Sequence, residues 1–300
     1  MNTAGAPRSI EQYLKALREA LAGEDPSLIQ DALYDAEEYL RAEIGANPGK
    51  SESDVLELIA STYGAPGEVA EAYRTTEKQV RAALAPPKPK QHRTALGRFF
   101  GVYAESRTWT ALFYSLLAIG TGIVYFTVTV TGLSLSLGLA VLIIGIPFFL
   151  LFVGFTRVLA LAEGRLVEGL LGQRMPRRPT YSQKGKPVME RIKAMLADRR
   201  TWTTMLYFLL MLPLGILYFT VAVTALAVSV GLMVAPIIEL LSDSGRLHLD
   251  GVYINPMLPA IVAIPLGILL LTTMLHLIRG IGTMHGGIAK HLLVAQSRDD

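Results

Sequence analysis

Two stretches of this chain, RTWTALFYSLLAIGTGIVYFTVTVTG from Arg107 and RTWTTMLYFLLMLPLGILYFTVAVTA from Arg200, are copies of one apolar segment at an offset of 93. Over 107–141 and 200–234 they share 20 identities in 35 positions, including Trp109/Trp202, Tyr114/Tyr207, Gly122/Gly215 and Tyr125/Tyr218. Apolar bias alone would not repeat Trp, Tyr and Gly in register. The alignment returns at Ile146-Pro147 against Ile264-Pro265, now at an offset of 118, so the second copy carries about 25 extra residues around SDSGRLHLDGVYINP.

Each copy opens with an uncharged run able to cross a bilayer. Residues 109–131 number 23, about 35 Å as a helix against a hydrocarbon core of roughly 30 Å. Residues 202–224 are the counterpart; 133–155 follow the first run after only Gly132, and 257–278 precede Arg279. Four spans are expected, in keeping with 51% hydrophobic residues and a mean hydropathy of +0.40. Residues 225–241 are also apolar but interrupted by Pro236 and Glu239. The repeat register makes them the outward end of the third span, continuing into an extracellular or re-entrant segment, rather than a fifth span.

Orientation follows from Lys and Arg. Residues 157–200 hold eleven of them, whereas the loop at 242–256 holds only Arg246, balanced by Asp243 and Asp250. Positive residues are retained inside. Both termini and the middle segment are therefore expected in the cytoplasm, with the copies as parallel repeats rather than inverted ones.

Residues 1–85 read as a different material: 15 acids and 8 bases, a net charge of −7, against +10 for 86–300. Ser9 and Ser51 are N-cap candidates, and Asp25-Pro26 opens a second helix. Apolar residues recur at helical spacing (Ile10, Tyr13, Leu14, Leu17, Leu21; Ile29, Leu33, Ala36, Leu40), and Gly64-Ala65-Pro66 breaks the chain before a fourth helix. The fold class expected is all-α: a small cytoplasmic helical bundle (1–85), then a four-span transmembrane helical domain built from a tandem duplication. Between them lie a Pro/Lys spacer and basic amphipathic stretch (86–107); the membrane copies are 108–172 and 201–295, joined by a basic connector (173–200). Further amphipathic stretches at 158–171, 192–196 and 281–293 are expected to lie along the inner leaflet, near anionic lipid.

An acidic bundle is poorly suited to nucleic acid, whose phosphates need clustered cations. Asp31, Asp35, Glu37, Glu38 and Glu43 form either a solvated helix face or a docking surface for a protein partner or a basic surface.

The duplicated YFTVTVTGLSLSLG and YFTVAVTALAVSVG blocks, the GIP motif at 145–147 and the late LPAIVAIPLGILLLTTMLHLIRGIGTMHGGIAKHLL resemble the sensor domain that precedes kinase modules in many bacterial histidine kinases, over roughly 105–295. YLKALREAL, YDAEEYL and TYGAPGEVAEAY resemble the HAAS (DUF1700) helical signalling domain. Its acidic, aromatic second helix and Gly-x-Pro turn are matched here by Tyr34, Asp35, Glu37, Glu38 and Tyr39, then Gly64 and Pro66. The resemblance implies signalling. Only a dozen residues follow Ile288, so this chain is expected to carry no kinase module and to signal through a partner.

Chemistry is sparse. There are no cysteines, which excludes disulfides and thiolate metal sites. His276, His285 and His291 are spaced by nine and six, unlike the four-residue spacing of a helical metal pair. No phosphate loop, nucleophile elbow or kinase signature appears. The apolar runs offer only His276 near one end, with Glu239 in the 225–241 stretch, so proton-coupled transport is disfavoured. No enzyme activity, cofactor or metal is expected.

Candidate ligand- or partner-binding residues are the duplicated tyrosines Tyr114, Tyr125, Tyr207 and Tyr218, the kink-capable Pro147 and Pro265, and acidic Asp35 and Glu38. Trp109, Trp202, Arg107 and Arg200 are expected at the membrane interface. Two functions compete. One is a membrane sensor or regulator that relays a membrane or extracytoplasmic signal through the bundle to a cytoplasmic or membrane protein. The other is a scaffold or accessory subunit that packs against copies of itself or a transporter. Membrane lipid is an expected partner of both.

Overall fold

The computed structural model describes residues 7–84, 94–141, 144–179, 188–241, 247–249, 252–254 and 257–294. The spacer and most of the 242–256 loop lie outside the described residues.

The N-terminal helices are α1 (Ile10–Ala20), α2 (Pro26–Ala46), α3 (Glu52–Thr62) and α4 (Pro66–Leu84). Each starts where the chain can satisfy its first free amides. The Ser9 hydroxyl accepts from Gln12 N–H, Asp25 from Ser27 N–H, and Ser51 from Asp54 N–H. Glu68 reaches back to Ala65 N–H at 3.0 Å, half of a capping box at the head of α4. Tyr13, Leu17, Leu21, Leu33, Ala36, Leu40, Val55, Ile59, Val69 and Ala70 close one apolar core. The Tyr13 hydroxyl donates to Gly64 O at 2.8 Å, tying α1 to the α3–α4 turn. Gly64 adopts φ +109° there, which a side chain would strain.

After the short helix α5 (Ala95–Phe100) and a 3-10 turn at Gly101–Ala104, the membrane helices begin. They are α6 (Ser106–Gly138), α7 (Gly145–Leu166, continued by a π turn at Val167–Leu171), α9 (Arg199–Leu241) and α10 (Met257–Leu293), with α8 (Val188–Ala197) before α9. Among the described residues, four helices are long and apolar enough to cross a membrane. The extra residues of the second copy include an antiparallel pair, β1 (Leu247–Leu249) with β2 (Val252–Ile254).

The first break falls elsewhere than Gly132. α6 runs on to Gly138, a 3-10 turn follows at Leu139–Val141, and α7 begins at Gly145. Gly132 instead packs: a Cβ there would lie 2.1 Å from the Phe152 ring of α7. The 225–241 stretch continues α9 without interruption through Pro236 and gives it 43 residues, about 65 Å. The stretches at 158–171 and 281–293 also depart from expectation. They extend α7 and α10 rather than forming separate surface helices, because polar side chains on them are satisfied inside the bundle.

α6 and α9 pack side by side at the centre, α7 against α6 and α10 chiefly against α9. The central crossing follows the repeat. A Cβ on Gly122 would meet Met211 O at 2.6 Å, and one on Gly215 would meet Ala118 O at 2.3 Å. Residues 118 and 122 correspond to 211 and 215 at the 93-residue offset, so the two helices touch backbone to backbone at equivalent points. Gly215→Ala should therefore force the helices apart and lower stability by about 1 to 3 kcal/mol, read as a reduced melting temperature of the detergent-solubilised protein; an unchanged value would contradict the close crossing.

Candidate functional site

Tyr114, Ala118, Gly122 and Tyr125 fall at i, i+4, i+8 and i+11, one stripe of α6; Tyr207, Met211, Gly215 and Tyr218 repeat it on α9. The Gly crossing brings these stripes together. All four tyrosines are buried, none more than 4% exposed. Their hydroxyls converge on two residues that sequence reasoning did not select, Glu163 of α7 and His285 of α10, both fully buried.

The geometry is closed. Glu163 Oε1 accepts from the Tyr114 hydroxyl at 2.6 Å and the Tyr207 hydroxyl at 2.8 Å, and Oε2 accepts from Tyr125 at 2.9 Å. His285 Nε2 lies 2.6 Å from the Tyr114 oxygen and 2.9 Å from the Tyr207 oxygen, while Nδ1 lies 3.4 Å from Tyr218. With three hydroxyls donating to the carboxylate, Nε2–H must be the donor shared by Tyr114 and Tyr207, leaving Nδ1 to accept from Tyr218. Each copy thus supplies two tyrosines, the first copy adds the acid and the second the imidazole. Tyr125 also stacks on Phe208, ring centroids 4.7 Å apart.

Such a cluster can hold a charge in an apolar medium and change its hydrogen bonds when a helix shifts. Pro147 and Pro265 are exposed, in the first turn of α7 and within α10, and do not join the tyrosines. Trp109 and Trp202 are half exposed, and each indole N–H bonds a carbonyl six residues earlier, Tyr103 O at 2.9 Å and Leu196 O at 2.8 Å. The Arg107 guanidinium lies beside Gly172, which ends the π turn with φ +71°.

At the same end of the spans the acidic bundle meets the basic connector. Asp31 Oδ2 pairs with Arg174 at 2.8 Å, and Oδ1 accepts the backbone N–H of Arg177 and Arg178 at 2.7 and 2.8 Å. Arg174 also reaches Glu77 at 3.2 Å, and Arg178 reaches Asp35 at 2.9 Å. Gln30 donates to Arg178 O at 2.6 Å and accepts from Arg200 at 2.7 Å. Asp35 additionally accepts from the Tyr73 hydroxyl at 3.0 Å, while Glu38 is exposed. Part of the acidic face therefore docks on the chain's own cations.

Asp25 bonds Lys290 of α10 at 2.6 Å. Burial pushes its carboxyl up, but the Lys290 ammonium and the Ser27 N–H outweigh that and hold it below the usual value.

The family described as Putative sensor matches residues 114–293, more than half of the chain, and the chain belongs to it. The matched segment begins at Tyr114 and contains all six side chains of the cluster. No curated protein and no solved structure matches the chain.

Two outcomes follow. Tyr114→Phe, which removes a hydroxyl bonded to both Glu163 and His285, should lower stability by about 1 to 2 kcal/mol. Tyr218→Phe should cost less than half as much; equal shifts in detergent melting curves would contradict the network. A depressed Asp25 stabilises the bundle's docking above the unfolded carboxyl pKa of about 3.9 and loses that contribution as pH falls through the lower folded value. Acid titration of amide exchange near Asp25 should thus show loosening only below about pH 4, and Asp25→Asn should abolish that step.

Proposed function

We propose that this protein is a non-enzymatic membrane sensor whose spans register a membrane or extracytoplasmic signal and whose N-terminal bundle passes it to a cytoplasmic protein. The reading places both termini and the connector in the cytoplasm of a bacterial inner membrane, on the bias of Lys and Arg in the connector. The bundle then acts as the helical signalling domain its sequence resembles.

The observation that carries this is the clamp on Arg174. It sits eleven residues after Glu163 on the same stretch of chain, so the buried cluster and the bundle's docking contact are joined by one helix end and the turn after it. A rearrangement among the tyrosines that displaces α7 displaces Arg174, and with it the surface that α2 offers to a partner. The cluster and the family support sensing.

The test is amide hydrogen exchange on the full chain in nanodiscs. Glu163→Gln, which touches no bundle residue, should change exchange in α2 and in 173–178. Arg174→Gln, which leaves Asp31 without its cation, should speed α2 exchange by about 30-fold, equivalent to roughly 2 kcal/mol. Faster α2 exchange with Arg174→Gln but none with Glu163→Gln would refute coupling between cluster and bundle.

A further inference from the structure

A crevice opens between the 153–164 stretch of α7 and the first turn of α9, floored in part by Met175 and Leu293. Two guanidinium groups, Arg157 and Arg200, line it among mainly apolar neighbours such as Val153 and Leu161. One carboxylate serves both. Asp198 contacts Arg157 loosely at 3.6 Å and accepts the Arg200 backbone N–H at 3.0 Å, while among the described residues the Arg200 side chain bonds a neutral amide oxygen, Gln30, at 2.7 Å. Thr201, also in the lining, is 6% exposed, and its hydroxyl is buried without a hydrogen-bond partner among the described residues. A buried hydroxyl left unpaired is unfavourable, and an anionic oxygen brought into the crevice would satisfy it.

We propose that this crevice binds the acidic headgroup of an anionic phospholipid, with Arg157 and Arg200 facing the phosphate, Thr201 donating to it and the acyl chains running along α7. Two observations favour a lipid over a soluble anion. Trp202, one residue beyond Thr201, is 48% exposed and anchored to Leu196 O, the placement of an interfacial indole. Phe155 and Val158, on the same stretch of α7, are 49% and 61% exposed, so the crevice opens beside an apolar surface.

The site is positioned to matter to the signal. Gly164 of the crevice follows Glu163 in the chain, and Arg200 holds Gln30 of α2. This rests on the sensor reading and names the ligand class such a sensor would take: anionic lipid in the leaflet facing the bundle.

The experiment is native mass spectrometry of the full chain released from nanodiscs, made of phosphatidylcholine alone or with phosphatidylglycerol. Thr201→Val keeps the side-chain shape and removes only the hydroxyl; Arg157→Gln removes one cation; Thr108→Val, the repeat equivalent outside the lining, is the control. The parent chain should retain phosphatidylglycerol selectively. Retention should fall by about fivefold with Thr201→Val and about tenfold with Arg157→Gln, with Thr108→Val indistinguishable from the parent. Equal retention of both lipids, or retention unaffected by either crevice variant, overturns the site. Free inorganic phosphate that protects the chain in phosphatidylcholine discs with the same variant dependence overturns the lipid assignment. Because retention is read by mass, a parent chain that shows no lipid selectivity while Glu163→Gln still changes α2 exchange refutes only the crevice, whereas selective lipid binding that leaves α2 exchange unmoved refutes the relay.

Discussion

A carboxylate in the middle of an apolar helix bundle must be met by donors, and Glu163 is met by three. Leaving it unpaired would cost several kcal/mol, so any arrangement of these helices that scatters the tyrosines is strongly disfavoured. The close crossing at Gly122 and Gly215 serves that end. Residues 114 and 125 lie eleven apart, about 16 Å along α6, and only a backbone-close approach lets hydroxyls from both levels of two helices reach one side chain. Packing and polarity thus specify the same geometry, the consistency that marks a well-defined native state.

The duplication supplies the frame and then breaks its own symmetry where charge enters. At the 118-residue offset, Glu163 corresponds to Ile281 and Val167 to His285. Each slot is polar in one copy and apolar in the other. A faithful duplicate would bury two carboxylates at one centre, where like charges disfavour joint ionisation. One acid, one imidazole and four hydroxyls instead form a set in which every donor has an acceptor. Phe208, whose counterpart is Ser115, occupies the face of Tyr125 and breaks the symmetry again.

Much of the fold was legible because its causes are local. Ser9, Asp25 and Ser51 stand at helix starts since a side-chain oxygen there satisfies amides that the helix cannot. The four spans follow from length and apolarity. What escaped was where spans end. Ending each apolar run at its first charge, Arg157 or Arg279, put Glu163 and His285 outside the membrane helices, although a helix can carry a polar residue inward when partners wait for it. The Tyr-x-x-x-Ala/Met-x-x-x-Gly-x-x-Tyr stripe was the available signal: two tyrosines on one face of each central span announce a buried polar target, though not its identity. The docking of the bundle was half visible, as −7 facing +10, but charge totals cannot say that Asp31 meets Arg174 rather than another cation.

The chain between Glu163 and Arg174 is short and continuous, and the proposed coupling would run along it. α7 leaves the cluster in regular helix, loosens into a π turn at Val167–Leu171 and ends at left-handed Gly172, two residues before Arg174. A π turn holds one residue more per hydrogen-bonded loop than the α-helix around it, and such turns recur at functional sites. Passing between the two forms shifts the register of everything beyond it by a fraction of a turn. Packed interfaces answer such a shift by exchanging one set of contacts for another, because a close-packed surface does not deform continuously. The Asp31 carboxylate is held by one side chain and two successive backbone amides, Arg177 and Arg178, and a lock of that geometry tolerates little displacement before it opens. On the proposed reading, the π turn would be the element whose state both the buried cluster and the bundle bias, which is the physical requirement for coupling between them.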